Sequence, residues 1–295
     1  MVADYILFNV KVIFAYYVGE EFSYLHKWHL QLFNDVLYTD PEIVKIIEFH
    51  LLIDDINNEA LIEEAKSNIL NYIDGRWHDK ITFTIHQNDN IVREGKVYKE
   101  EVIDKLDQYG ENDLIIFMHT KGVTNHLNLE NLENTMHWIC AMYYFNFLNL
   151  FGIFSCFYTD DIIYYGALYN YDIRAIVKYK WQYVGSFHWL RPAKLLKYLN
   201  DKYGYSQQDI SNHYLNTCER RYIAESFCGH FVEPEYAGFL NHLHYNKRFS
   251  HFLYEVSDMP YYNILYVLGE YVANTEYENY IKYFEKNKQL FNQKL

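Results

Sequence analysis

Four polar clusters in this chain carry the side chains that acid–base, phosphate or carbohydrate chemistry uses. The first is His119-Thr120-Lys121-Gly122, which ends the uncharged run Leu114-Ile115-Ile116-Phe117-Met118. The second is Asn88-Asp89-Asn90 with Arg93-Glu94-Gly95, where amides could read a base or ribose and Arg93 could meet a phosphate. The third is Gly185-Ser186-Phe187-His188-Trp189-Leu190-Arg191, in which a glycine permits close approach of a ligand and Trp189 offers a ring face. The fourth is Arg221-Tyr222-Ile223-Ala224-Glu225, a carboxylate among apolar neighbours, the setting in which burial can tune a general base. Each has a plainer alternative: a solvated strand-end turn, a helix cap, a buried strand and a surface Arg–Glu pair, respectively.

The elements that must position these clusters follow from the hydrophobic pattern. Residues 10–18, 46–53, 80–85 and 114–118 are short β-branched or apolar runs that read as strands. Apolar stripes at helical spacing fall between them, over about 22–36, 58–73 and 96–109. Strand–helix alternation of this kind argues for a parallel sheet wound by right-handed crossovers. In such sheets ligands collect outside the carboxyl ends of the strands, where the first two clusters fall. Beyond Gly122 the pattern predicts a long aromatic helix over 127–150, strands at 162–168 and 183–190, and helices at 193–199, 209–227 and 277–289. We read one α/β domain over 1–295: a nucleotide-binding half (1–122), an acceptor and catalytic half (123–232) and a C-terminal extension (233–295).

Composition narrows the partners. The net charge of −13 opposes a nucleic-acid surface, which needs a basic face. The 32 tyrosines and 20 phenylalanines suit carbohydrate stacking and interfaces, although AT-rich coding would give the same bias. The 4 cysteines, Cys140, Cys156, Cys218 and Cys228, form no C-x-x-C pair and read as reduced, buried thiols of a cytoplasmic protein. Residues 1–18 lack a basic leader and are interrupted by Asp4 and Lys11, so neither a signal peptide nor a transmembrane segment is expected. No G-x-G-x-x-G follows the first strand and no P-loop occurs, which disfavours dinucleotide oxidoreductases and P-loop NTPases. The histidines His230, His242, His244 and His251 could hold a metal, but only His242 and His244 are close, at an i, i+2 spacing that suits a strand or loop, and no aspartates are interleaved.

Taken in order, the HTKG strand end, an aromatic helix containing Trp138, the GSFHW strand and the R-Y-x-x-E helix resemble bacterial and viral glycosyltransferases of the GT-A, nucleotide-diphospho-sugar transferase fold. The resemblance spans about residues 10–229. It implies transfer of a sugar from a nucleotide-diphosphate donor, a UDP-sugar being the expected one, to a glycan or lipid-linked glycan acceptor. Tyr16, Asn88, Asn90, Arg93, Thr120 and Gly122 would bind the donor. Gly185, Ser186, His188, Trp189 and Arg191 would shape the acceptor and sugar pocket. Glu225 would be the base of an inverting reaction.

GT-A enzymes generally hold a divalent cation on an Asp-x-Asp where this chain has His119-Thr120-Lys121. Lys121, helped by His119, is expected to stabilise the leaving diphosphate instead, with no metal or other cofactor; Mn²⁺ or Mg²⁺ is the alternative. A nucleotidyltransferase of related fold and a non-catalytic carbohydrate-binding module are the rival functions. Peripheral association with the inner face of a membrane, for a lipid-linked acceptor, and a homo-oligomer are left open.

Overall fold

The computed structural model describes residues 8–19, 21–37, 44–89, 91–120, 123, 132–147, 150–159, 162–166, 169–170, 182–183, 186–217, 223–239 and 274–294. The first part follows the expected alternation. Strand β1 (Asn9–Val18) leads through α1 (Tyr24–Leu37) to β2 (Val44–Ile53), and α2 (Glu59–Tyr72) leads to β3 (Ile81–Gln87). The predicted helix over 96–109 is two pieces, α3 (Glu94–Glu101) and a 3-10 turn (Ile103–Gln108), before β4 (Asp113–His119). The predicted helix over 127–150 is α4 (Leu132–Phe147) among the described residues, and a helix that the pattern does not predict, α5 (Leu150–Thr159), follows it.

The later strands are shorter than their apolar runs suggest: β5 (Tyr164–Gly166), the pair β6 (Tyr169–Asn170) and β7 (Gln182–Tyr183), and β8 (His188–Leu190). Helix α6 (Pro192–Tyr203) starts on proline, whose fixed φ suits the first turn, and ends on Gly204 at φ 69°. The segment 209–227, expected as one helix, is α7 (Gln207–Thr217) and α8 (Ile223–Phe231). A short strand that the sequence pattern does not reveal, β9 (Ala237–Phe239), and the terminal helix α9 (Asn274–Lys294) complete the described chain.

Seven strands form one sheet in the order β3-β2-β1-β4-β8-β5-β9. Pairings are parallel except at β8, which runs antiparallel to both β4 and β5. This is the α/β, mostly parallel sheet flanked by helices expected from the sequence, with an aromatic helix at its C-terminal end. One face packs on α1, α2, α4, α5 and α9 through Trp28, Phe33, Ile69, Tyr143, Phe157 and Phe284. The other packs on α3, α6, α7 and α8 through Tyr98, Leu195, Tyr214 and Phe227. The rich aromatic content therefore does structural work: Phe14, Phe33 and Phe49 pack with ring centroids 5.1–5.9 Å apart.

Cys140, Cys156 and Cys228 are buried, as expected, while Cys218 lies outside the described residues. Among the described residues no single helix is long and apolar enough to cross a membrane; α4 and α5 would suffice only jointly, bent by 56°.

Two buried histidines tie this packing to pH. His188 is enclosed by the rings of Tyr98, Phe117 and Tyr164, and burial pushes its pKa down to about 3. His137 stacks on Phe284 at 3.5 Å, and burial pushes its pKa down to about 4. Both rings stay neutral in the folded chain but take a proton in the unfolded chain below about pH 6.5. Unfolding thus gains protons on acidification, and stability present above about 6.5 is lost as the pH falls toward those folded values. Calorimetry from pH 7.5 to 4.5 should show a falling Tm, and His188→Phe should flatten that dependence. An identical slope in the variant would contradict it.

Candidate active site at the carboxyl edge of the sheet

Strand order reverses between β1 and β4. The chain steps outward from β1 through β2 to β3, then returns to place β4 on the other side of β1. The connecting helices consequently depart to opposite faces, and the crevice left at the carboxyl ends is where doubly wound sheets bind ligands. At this point Ala15 of β1 is registered against His119 of β4. Ala15 and Tyr17 share the face of His119, because successive strand residues alternate in direction.

The end of β1 is fastened by side chains. Thr120 donates its N–H to the Ala15 carbonyl (3.2 Å), and its Oγ1 accepts the Tyr17 N–H (2.9 Å). His26 Nδ1 accepts the Ser23 N–H (3.2 Å), so Nε2 carries the ring proton and donates it to the Tyr17 carbonyl (2.8 Å). Both backbone groups of Tyr17 are therefore satisfied just where β1 leaves the sheet.

Helix α3 supplies the second wall. Asp89 makes the turn ahead of it, its Oδ1 accepting from Ile91 N (2.8 Å) and Val92 N (3.0 Å). Arg93 then adopts φ 51°, and Glu94 falls in the helix's first turn. A carboxylate is favoured there by the helix dipole. Its Oε1 lies 3.0 Å from His119 Nδ1 and 3.5 Å from Ser186 Oγ. A carboxylate can only accept, so His119 Nδ1 carries the proton and Nε2 presents its lone pair. That Nε2 is buried and meets no partner among the described residues. Ser186 sits at φ 50°, outside the backbone range ordinary residues prefer, and Phe187 sets its ring edge-on to His119 at 6.2 Å.

The rim continues across β2 and β3. Asp54 accepts from the Tyr17 hydroxyl through Oδ2 (3.1 Å) and from Asn88 Nδ2 through Oδ1 (2.7 Å). The Asp54 carbonyl accepts from Gln87 Nε2, and Asn88 N donates to the Ile53 carbonyl (2.8 Å). A continuous band of hydroxyl, amide, carboxylate and imidazole groups thus borders β3, β2, β1 and β4.

The structure brings together only part of the expected set. His119, Thr120, Ser186, Asn88 and Arg93 lie on or beside this edge. Tyr16 is corrected to the opposite face: it packs on Phe14, Phe49 and His26, its hydroxyl is buried and meets no partner among the described residues, and burial raises its pKa well above the usual value. Trp189 offers no ring to a sugar, being buried against Phe147 and Phe154 with its Nε1 donating to the Asn146 carbonyl (2.9 Å). His188 is likewise a core side chain.

Arg191 lies toward the other end of the sheet, because β8 runs antiparallel with Leu190 opposite Ile115. There it donates to the Phe157 (3.1 Å) and Glu111 (3.0 Å) carbonyls. Asn90, Lys121, Gly122 and Gly185 fall outside the described residues, as do His242, His244 and His251. Glu225 is carried by α8, which packs on the same face of the sheet as α3.

The sequence reading missed Tyr17, Asp54 and the role of Glu94. Tyr16 and Tyr17 are chemically alike, and only the register with β4 tells which faces His119. Glu94 needed the true start of α3, which lies two residues before the apolar pattern begins.

Comparisons with known proteins add little. No protein-family model matches this sequence, and no curated protein does. Among solved structures, a 4-diphosphocytidyl-2C-methyl-D-erythritol synthase from Anaerococcus prevotii aligns over 72% of this chain and 85% of its own, at 10% identity and a TM-score of 0.34. A likeness of that strength bears neither on fold nor on function.

The fastening of β1 to β4 is open to a direct check. Thr120→Val keeps the shape of the side chain but leaves the Tyr17 N–H without its acceptor, which should cost about 1–3 kcal/mol of stability. Unchanged denaturant midpoints for the variant would show that the bond contributes nothing.

Proposed function

We propose that this chain is a glycosyltransferase that takes its sugar from a nucleotide-diphosphate donor, a UDP-sugar first, and passes it to a glycan or lipid-linked glycan acceptor. The observation that carries the proposal is the polar edge at the β1/β4 reversal, where His119 is held by Glu94 with Nε2 facing no partner among the described residues. Once it takes a second proton at Nε2, that imidazole would complement a phosphate oxygen. Glu94, accepting from Nδ1, would stabilise the positive charge of the doubly protonated ring while Nε2 donates to the phosphate. Asn88, Asn90 and Arg93, which precede Glu94 in sequence, and Thr120 and Gly122, which follow His119, make the proposed donor pocket. Ser186, with Gly185, would border the sugar.

In the proposed reaction Glu225 accepts the proton of the acceptor hydroxyl while that oxygen bonds to the anomeric carbon. The bond from the anomeric carbon to the diphosphate oxygen breaks, and the nucleoside diphosphate departs with its electron pair. Lys121, one residue beyond Thr120, would neutralise the charge that develops on that oxygen, helped by His119. Attack opposite the leaving group inverts the anomeric centre. A lysine in this role needs no divalent cation at the diphosphate.

Donor turnover with a panel of nucleotide sugars tests the reading. Lys121→Ala should lower kcat by about 10²–10³-fold and Glu225→Gln by about 10²–10⁴-fold. Near-normal turnover in either variant would remove that residue from the mechanism. Loss of turnover in EDTA that Mn²⁺ restores would contradict the role given to Lys121. Pyrophosphate released from a nucleoside triphosphate and a sugar phosphate would identify a nucleotidyltransferase instead, and a chain that binds glycan but consumes no donor would be a binding module.

A further inference from the structure

A second cluster of titratable groups lies on the same face of the sheet, two strands from His119, and the proposed transfer does not use it. His50 of β2 is registered against Ala15, on the side of β1 away from β4. His86, near the end of β3, is registered two residues further along β2, opposite Leu52, so both imidazoles project toward α3. Both are buried, and His50 Nδ1 lies 2.9 Å from His86 Nε2.

The outer ring nitrogens face carboxylates. His50 Nε2 is 3.4 Å from Glu48 Oε2, and His86 Nδ1 is 3.2 Å from Glu100 Oε2. Since carboxylates only accept, each outer nitrogen is the one that carries the proton in a neutral ring. The two inner nitrogens are then both lone-pair acceptors, pointed at each other at contact distance. Two acceptors in that geometry repel unless something positive lies between them. Glu101, from the last turn of α3, adds a third ligand: one atom each from His50, His86 and Glu101 lie within 4.8 Å of one another. Lys105 meets Glu101 at Oε2, and a carboxylate has a second oxygen to offer.

We propose that His50, His86 and Glu101 bind a borderline divalent transition ion of the zinc class, with Glu48 and Glu100 orienting the two imidazoles. The donor set is chemically apt, because imidazole and carboxylate together suit such ions, and a carboxylate behind each ligating histidine fixes the tautomer that exposes the ligating nitrogen. Zinc–nitrogen bonds of about 2.0–2.1 Å at a tetrahedral angle would set the two nitrogens about 3.4 Å apart, so the pair need open by only about 0.5 Å. Three protein ligands leave a fourth position for water. The site ties β2, β3 and α3 together, and α3 carries Glu94 at its other end.

The test uses the full chain, stripped with a chelator and titrated with Co²⁺ and then Zn²⁺. The proposal expects a saturable visible absorption band on adding one equivalent of Co²⁺, displaced by Zn²⁺, and a single zinc per chain by elemental analysis. His86→Ala should abolish the band, and Glu100→Gln should weaken zinc binding by about 10–100-fold. Circular dichroism establishes that the variants are folded; the wild-type titration stands without them. A chain that shows no saturable band, or whose band survives His86→Ala in a folded variant, overturns the assignment. A metal-free pair sharing one proton, seen as a bridging N–H resonance, overturns it also. Because metal binding is read directly, none of these outcomes depends on glycosyl transfer.

Discussion

The whole arrangement depends on β1 being enclosed. It is paired on both edges, by β2 and β4, and residues from Val12 to Tyr16 are buried on both faces. A central strand of this kind cannot shift register by one residue without turning its apolar set to the wrong face, so its alignment with β4 is strongly specified. That alignment sets Ala15 beside His119 and hence determines which side chains share the crevice. The chemistry at the edge inherits its geometry from hydrophobic burial in the middle of the sheet.

Each face then contributes differently. The face covered by α1, α2, α4 and α9 is apolar and aromatic, and it encloses Tyr16 and Trp189. The face covered by α3 is mixed, with His50, His86, His119 and Tyr17 on four neighbouring strands and Glu94, Glu100 and Glu101 on the helix above. Polar groups buried there are tolerated because carboxylates of α3 and its neighbours meet the imidazoles. One helix thus serves both the proposed phosphate site, through its first turn, and the proposed metal site, through its last.

Much of the fold was legible from the chain alone. Apolar runs bounded by turns located β1 to β4, and stripes at helical spacing located α1 and α2, because those elements bury one or both faces in the regular way. Legibility failed where tertiary contacts override pattern. The pattern over 127–150 located α4 but gave no sign of α5 beyond it; β9 has only three residues, and Gly238 within it lies so near Ile162 and Tyr165 that a Cβ would come within 2.9 Å of each.

The site was half legible for a related reason. His119 and Thr120 stand at a strand end, which sequence can locate, and Asn88 and Arg93 follow another. Trp189, His188 and Arg191 drew attention by residue type, yet an antiparallel β8 buries the first two and carries the third to the far edge. Tyr17, Asp54 and Glu94 are ordinary residue types whose importance comes from partners 37 to 103 positions away or, for Glu94, from a histidine at the end of β4. Only the folded register brings them together.

The most direct measurement of the central claim is calorimetric titration of UDP into the wild-type chain and into His119→Gln. Donor binding at the β1/β4 edge requires saturable binding to the wild type and an affinity at least tenfold lower in the variant, about 1.4 kcal/mol of binding free energy. Equal affinity in the two proteins, or no binding to the wild type, would contradict it.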